Sequence, residues 1–513
     1  MLSILRIRNI SAPNSACSAL RRAYTTPAPK WNTTIGLELH VQLSAKQKLF
    51  SPASAKWDDP ANSNIDLVDA GLPGSLPRLN PECVHLAARA ILALDGTVQP
   101  TSAFDRKHYF YADQPLGYQI TQSARPIGRG GQIELGSADG LSYTRRVRIH
   151  QLQLEQDTAK SIHNVYPGYV LSDLNRAGVA LVEIVSEADM RTADEAAHYV
   201  RRMQTLLRHI GVSNCNMEEG SLRCDVNVSV FRDGDDPLSG TRCELKNLNS
   251  LKVIRGAIEA ESARQIALIE SGQTVGQETR GYDARTNTTF LQRSKETAPD
   301  YRYMPEPDIP PVRVTEAWVD AVRNAMPELP DRLLARVTEH YGLSRDEVET
   351  MMGEPGCIGL FEAVMATGKH DAKRVASWIT SEIFGQLAYR NQKLADSQLT
   401  PQLLDDILDA LANSQVTSAQ AKQLLIELMD GDKRKVGELI EAHGWRVMDD
   451  QSELRNIIAA LLEKHPNEIA DYRAGNKRRM NFFVGKVMGA TKGQAKPQDV
   501  SRLVKELLDS KAE

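Results

Sequence analysis

Two short stretches carry the residue types of a charged reaction centre. In "IGLELHVQL" (35–43), Ile35, Leu37, Leu39, Val41 and Leu43 alternate with Gly36, Glu38, His40 and Gln42. In "SLRCDVNVSV" (221–230), Arg223, Asp225, Asn227 and Ser229 alternate with Leu222, Cys224, Val226, Val228 and Val230. Successive side chains of a strand point to opposite faces, so each stretch reads as a strand with one buried and one polar side. "VALVEIVSE" (179–187) sets Glu183 in an otherwise apolar strand. "QLQLEQDTAK" (151–160) aligns Gln151, Gln153 and Glu155 on one face, with Asp157 and Lys160 beyond. Glu218 and Glu219 stand just before the second stretch.

Taken singly, each acid is an ordinary solvated strand residue. Taken together, they crowd carboxylates that repel one another unless a cation neutralises them. Oxygen ligands with an occasional imidazole suit Mg²⁺ or Mn²⁺. The expected ligands are Glu38, His40, Glu155, Glu183 and either Glu218 or Glu219. Lys160, Arg176, Arg223, Lys246 and Arg280 are spaced among them and suit phosphate oxygens. The pattern predicts a nucleotide–metal cradle, with Arg176, Asp225 and Arg280 toward the nucleotide. No G-x-x-x-x-G-K-[ST], H-E-x-x-H, G-x-S-x-G or H-R-D loop is present, so ATP would be held on a sheet without a P-loop.

The positioning elements are strands with a few inserted helices. "NPECVHLAARAILAL" (80–94) opens a helix with Asn80 as N-cap and Pro81 at its first position. "TADEAAHYVRRMQTLLRHIG" (192–211) carries Thr192 and Glu195 as a capping box, a stripe of Ala197, Val200, Met203, Leu207 and Ile210, and Gly211 as its stop. Strand runs without regular βαβ units predict an α+β domain with a largely antiparallel sheet. "APDYRYMPEPDIPPV" (298–312) is too rich in proline for a helix, and its Tyr301, Tyr303, Met304 and Ile309 predict an ordered crossing. From about 315 the patterns are helical, with a break near 391–402. The expected domains are a cradle over 25–314 and helical units over 315–395 and 396–513.

With 513 residues and 41% hydrophobic content, the chain suffices for two to four domains. No apolar run is long enough to cross a bilayer. The net charge of −4 excludes a generally basic nucleic-acid coat and leaves room for a local patch. The six cysteines (Cys17, Cys83, Cys215, Cys224, Cys243, Cys357) are scattered without a C-x-x-C pair, which predicts reduced buried thiols. The first 37 residues hold no acid but include Arg6, Arg8, Arg21 and Arg22. That is the composition of a mitochondrial transit peptide, expected to span 1–24, which would place the mature chain in the matrix.

Longer blocks now carry a resemblance. "FDRKHYFYADQPLGYQITQ" (104–122), "SDLNRAGVALVEIVSEADM" (172–190), "MEEGSLRCDVNVSV" (217–230), "ELKNLNS" (244–250), "GQETRGYD" (276–283), "DYRYMPEPDIPP" (300–311) and "FFVGKVMGATKGQAKP" (482–497) follow "IGLELHVQL" in order. Together, over about 31–500, they resemble the B subunit of the aspartyl/glutamyl-tRNA amidotransferases. The resemblance implies a cradle related in fold to glutamine synthetase and the guanido kinases, then a helical domain and a helical tail. It implies ATP and Mg²⁺ as cofactors and activation of the glutamyl side chain of Glu-tRNA(Gln) as a γ-phosphate. Ammonia would come from the amidase of the complex, its A subunit, and a small third subunit would be present too. Glu38, His40, Lys160, Arg223 and Lys246 then become the expected catalytic residues. The tail residues Lys477, Arg478, Arg479, Lys486 and Lys492 become the expected tRNA contacts.

Several positions depart from the family pattern. Where many members carry zinc-binding cysteines, this chain has Ser51, Ala53, Asp66 and Asp69, so zinc is not expected. The usual H-x-E-E-D-A-G-K reads Gln153-Leu154-Glu155-Gln156-Asp157-Thr158-Ala159-Lys160, and alternation puts Glu155 on the Gln151/Gln153 face. Leu116 replaces a common lysine, and Lys496 the asparagine of GQANP. Two other readings compete. A tRNA-binding scaffold with a decayed catalytic face is opposed by the intact "IGLELHVQL" and "MEEGSLRCD". A stand-alone metal-dependent kinase leaves the helical tail unexplained.

Overall fold

The computed structural model describes residues 30–56, 58–294, 300–445, 451–474, 476–491 and 494–510. The expected leader, 1–24, and Lys492 lie outside the described residues. The chain forms two compact units, Met1–Pro327 and Glu328–Glu513.

The first unit is ordered β1 (Trp31–Gln42), α1 (Pro81–Ala93), β2 (Asp105–His108), β3 (Tyr118–Thr121), β4 (Arg145–Gln156), β5 (Lys160–Tyr166), β6 (Tyr169–Asp173), β7 (Ala180–Ser186), α2 (Ala193–His209), β8 (Leu222–Arg232), β9 (Cys243–Leu248), α3 (Leu251–Glu270), β10 (Glu278–Asp283), β11 (Thr288–Ser294) and α4 (Glu316–Asn324), with shorter strands between. The main sheet runs β11-β10-β9-β8-β1-β7-β4 and continues into Gly128–Arg129 and Thr97–Val98. It is antiparallel except for β9 and β10. That parallel pair needs a crossover, which α3 supplies. The mixed α+β architecture matches the alternation in the sequence.

The alternating apolar residues form the core. Ile35, Leu37, Leu39 and Val41 of β1 and Leu222, Cys224, Val226 and Val228 of β8 are at most 1% exposed. Helix α3 lies against β8 and β9, and α1 against β4. Asn80 caps α1 by accepting the Glu82 amide at 3.0 Å. In α2, Thr192 accepts the Glu195 amide at 3.1 Å. The reciprocal half of the expected box is replaced: the Glu195 carboxylate takes the Arg191 amide and the Tyr143 hydroxyl. Tertiary partners outcompete the local cap.

The proline-dense stretch is an ordered crossing among its described residues. Met304–Pro305 pairs with β2, which pairs with β3, making a small three-stranded sheet. Arg106 clamps Glu306 in a fork at 2.9 and 3.0 Å. Helix α4 belongs to this unit, which corrects the expected boundary at 315. Val322 is buried, and Trp318 packs edge-on to His85 of α1.

The second unit also departs from the expected break near 395. One core runs from Leu333 to Leu439 and includes Leu387, Leu394 and Leu404, so the polar break lies within a single packed body. A separate core joins Leu454, Ile458, Phe483, Val487, Val500, Leu503 and Val504 of the tail helices.

Ser51, Asp66 and Asp69 meet Lys48 in a buried polar knot. Asp69 Oδ2 accepts from Lys48 Nζ, Ser51 Oγ and the Asp66 amide, each at 3.0 Å. The Lys48 and Asp69 side chains are 0% and 3% exposed. Breaking a buried pair strands the remaining charge. Lys48→Met should therefore destabilise the protein by about 3–5 kcal/mol in chemical denaturation. Adding Asp69→Asn should recover part of that loss by removing the stranded charge.

Candidate active site

Strand registers build the site. Across β8, β1, β7 and β4, one row reads Arg223, His40, Glu183, Gln153 and the next reads Asp225, Glu38, Val185, Gln151. Directly opposed residues share a face, so polar groups distant in sequence meet there. Ligand atoms of Glu38, His40 and Glu183 lie within 4.8 Å of one another. His40 Nε2 is 3.5 Å from Glu38 Oε1.

Glutamines fix the buried acids. Gln153 Nε2 donates to Glu183 Oε2 at 2.6 Å, and Gln151 Nε2 donates to Gln153 Oε1 at 2.5 Å. Gln119 of β3 donates to Glu155 Oε1 at 2.6 Å and to the Gln156 carbonyl at 2.7 Å. Glu155 therefore does face the Gln151/Gln153 side. Its Oε2 is buried with no partner among the described residues.

The electrostatics separate the two central carboxyls. Burial pushes Glu183 well above the ordinary carboxylate range, reinforced by the charges of Glu155 and Glu38 and by a hydrogen bond to Glu38. Burial opposes ionisation of Glu38 too, but the Glu183 bond and the charges of His40, Lys246 and Lys107 outweigh it and hold Glu38 low. The pair shares a proton, with Glu183 as the acid and Glu38 as the acceptor.

Lys107 joins the site although its local sequence did not point there. It lies on β2 opposite Gln119, and its Nζ is 5.1 Å from the Tyr301 ring centroid. Burial disfavours its charge, but Glu155, Tyr303 and Glu183 more than compensate and keep it protonated. The only sequence signal was its place in a short charged strand whose sheet partners are far along the chain.

The other cations divide. Lys246 contacts both Asp225 and Glu244, re-aimed by a bulge in the β8–β9 pairing where Asn247 is left-handed at φ 64°. Arg223 Nη2 is 2.8 Å from Asp157 but not aligned for a hydrogen bond, and its buried Nε has no partner among the described residues. Arg176 donates to the Thr158 and Ala159 carbonyls at 2.8 and 2.9 Å, closing the adjoining loop. Lys160 is exposed at the start of β5.

Two expectations are corrected. Arg280 pairs in register with buried Leu245, so it points to the helix-covered side. Its guanidinium is held there by Glu278, Thr289 and Glu261. Glu218 and Glu219 are exposed in the turn before β8 and stand outside the Glu38–His40–Glu183 group. Glu219 instead accepts from Asn214 at 3.1 Å.

In the tail, Lys477 and Arg478 are exposed, while Arg479 is paired with Asp471 at 2.7 Å. Lys477 lies 4.2 Å from the Tyr472 ring centroid and Lys486 5.6 Å from that of Phe482.

Residues 33–320 match the family profile described as GatB/GatE catalytic domain, and 359–508 match the GatB domain. The chain belongs to the GatB family. The B subunit of the aspartyl/glutamyl-tRNA(Asn/Gln) amidotransferase of Granulibacter bethesdensis is 44% identical over 478 residues, covering 93% of this chain and 98% of that protein. Its counterpart in Roseobacter denitrificans is 41% identical over 94% of this chain and 98% of its own length. That of Rickettsia bellii is 40% identical over the same shares. The matched catalytic domain contains every strand of the polar face of this GatB-family chain.

A hard divalent cation fits the donor set. Glu38, His40 and Glu183 offer two oxygens and a nitrogen, and the orphaned Glu155 Oε2 needs a positive partner. Without metal, the raised pKa of Glu183 means that the folded chain keeps a proton which the unfolded chain loses above the ordinary carboxylate range. Its contribution to stability is full at acid pH and declines as pH rises toward the shifted value. Glu183→Gln should therefore raise the melting temperature of metal-free protein at pH 8, with the gain shrinking toward pH 5. Melting curves in chelator across that range check it, and a pH-independent gain would contradict the shared proton.

Proposed function

We propose that this chain is the activating component of a glutamyl-tRNA(Gln) amidotransferase, a carbon–nitrogen ligase that uses glutamine as amide donor through a partner. It transfers the γ-phosphoryl group of ATP to the glutamyl side-chain carboxylate of Glu-tRNA(Gln). Ammonia from an amidase partner then displaces phosphate to leave Gln-tRNA(Gln). A small third subunit completes the complex. The acid-free, arginine-bearing N-terminal sequence supports work in the mitochondrial matrix, serving translation there.

One observation carries the reading: the buried Glu183 carboxyl, with half-buried Glu38 and His40 around it, stands beside two orphaned polar atoms of opposite charge, Glu155 Oε2 and Arg223 Nε. The chemistry needs such a place. A free carboxylate resists ammonia because its leaving group would be oxide. Phosphorylation turns that oxygen into phosphate, which departs with the C–O bonding electrons after nitrogen attacks the carbon. The reaction asks the protein for positioning and charge neutralisation rather than a covalent group. Mg²⁺ held by Glu38, His40 and Glu183, with Glu155 beside them, would offset phosphate charge. Arg223 and Lys246 present cations to the transferring oxygens, and Lys160 stands at the rim. Lys107 adds a cation beside Glu155 and Glu183.

The test uses the complex reconstituted with the amidase partner, Glu-tRNA(Gln), Mg²⁺ and γ-labelled ATP, with no ammonia donor. Labelled acyl phosphate should accumulate with wild type and fall at least ~100-fold with Glu38→Gln or His40→Ala. Equal labelling in the variants would move the chemistry off β1. For the tail, we propose that Lys477, Arg478 and Lys486 contact the tRNA backbone. Replacing all three with alanine should weaken tRNA binding and lower its salt dependence by about 2–3 in log–log slope. An unchanged slope would remove the tail from the interface.

A further inference from the structure

Both buried acids of the polar face are held in the same way. Gln153 stands directly opposite Glu183 on β4, and its Nε2 donates to Glu183 Oε2 at 2.6 Å. One row beyond, Gln119 Nε2 of β3 donates to Glu155 Oε1 at 2.6 Å. In each case a glutamine amide takes one carboxylate oxygen and leaves its twin. The twin on Glu155, Oε2, is buried without a partner among the described residues.

Each amide is itself fixed. Gln151 Nε2 donates to Gln153 Oε1 at 2.5 Å, so the carbonyl end of Gln153 is occupied and its nitrogen is turned to Glu183. Gln119 Nε2 also donates to the Gln156 carbonyl at 2.7 Å. Gln153 and Gln119 are 8% and 5% exposed, so neither side chain swings freely into solvent. A buried amide with two anchors is rigid, because any turn breaks a bond that water does not replace.

This restricts how the two acids can hold an ion. A carboxylate that grips a cation with both oxygens must turn both toward it, and here that turn would strand a buried amide donor. Each acid therefore presents a single oxygen. Mg²⁺ and Mn²⁺ accept an octahedral shell of single oxygens. Ca²⁺ is larger, takes about six to eight oxygens and draws on bidentate carboxylates to reach that number.

We infer that Gln153 and Gln119 are positioning residues that hold Glu183 and Glu155 to one-oxygen ligation and so select a small octahedral cation over Ca²⁺. The inference rests on the divalent ion of the proposed reaction.

The experiment is a titration of the reconstituted complex, stripped with chelator, with Mn²⁺, followed by loss of the free-ion electron paramagnetic resonance signal. Mg²⁺ and Ca²⁺ are then added as competitors. Binding that disappears in Glu183→Gln belongs to this site. In wild type, Mg²⁺ should displace that Mn²⁺ and Ca²⁺ should compete poorly. Gln153→Met, which keeps the bulk and removes the amide, should weaken Mn²⁺ about 10-fold or more and weaken Ca²⁺ less, narrowing the discrimination. Gln119→Met should act in the same direction, and serves if Gln153→Met folds poorly. Gln153→His, which keeps a ring N–H donor, should retain most of the discrimination. Equal losses for Mn²⁺ and Ca²⁺ would reduce the glutamines to packing and overturn the inference. So would unchanged affinities in both methionine variants, or a wild type with no Mn²⁺ binding sensitive to Glu183→Gln. The titration contains neither ATP nor tRNA. A complex that discriminates as expected but forms no labelled acyl phosphate would sink the proposed reaction and leave the role of the glutamines standing.

Discussion

The structure turns on holding several carboxyls together in a dry place. Glu38 and Glu183 lie diagonally on neighbouring strands, in adjoining rows of one face, with Glu155 in the row beyond Glu183. Like charges so close cannot all ionise. The metal-free protein meets this with a shared proton, a row of glutamine amides and Lys107. The arrangement opposes stability, and only the apolar face beneath it compensates, because that face buries long aliphatic rows against α1 and α3.

The rest of the first unit serves that patch. Side chains on the small sheet close it: Gln119 and Lys107 reach Glu155 and Glu183 from strands outside the main sheet. The Arg106–Glu306 fork ties that sheet to the proline-dense crossing. A bulge at Asn247 turns Lys246 toward Asp225. Asp157 sits between Arg176 and Arg223, spacing two guanidinium groups that would otherwise repel. Lys107, Lys246 and Arg223 are thereby held on the polar side of the sheet among its carboxylates.

Alternation made the polar face legible before any coordinates. Glu38, His40, Glu155 and Glu183 all fall on it, because the period of a strand is two and a single misplaced residue would have exposed the core. Arg280 shows the limit of the method. Its basic character suggested phosphate, but pairing with β9 set its direction, and no local pattern records which strand will be the neighbour. Glu218 and Glu219 failed for a related reason: turn residues follow no period, so their chemistry did not disclose their orientation. Lys107 was missed because its meaning depends on Gln119 and Glu155, brought close only by folding.

The sequence by itself determined the strands, their buried faces, the two capped helices and the family, since all of these depend on local periodicity or on long ordered blocks of residues. It misjudged where the units divide, because α4 follows the core it packs on rather than its own composition, and because Leu394 joins one hydrophobic body across a polar break. Tertiary structure alone decided which charges meet and which carboxyl keeps its proton. Those outcomes depend on distances between residues far apart in the chain, and such distances exist only once the sheet has closed.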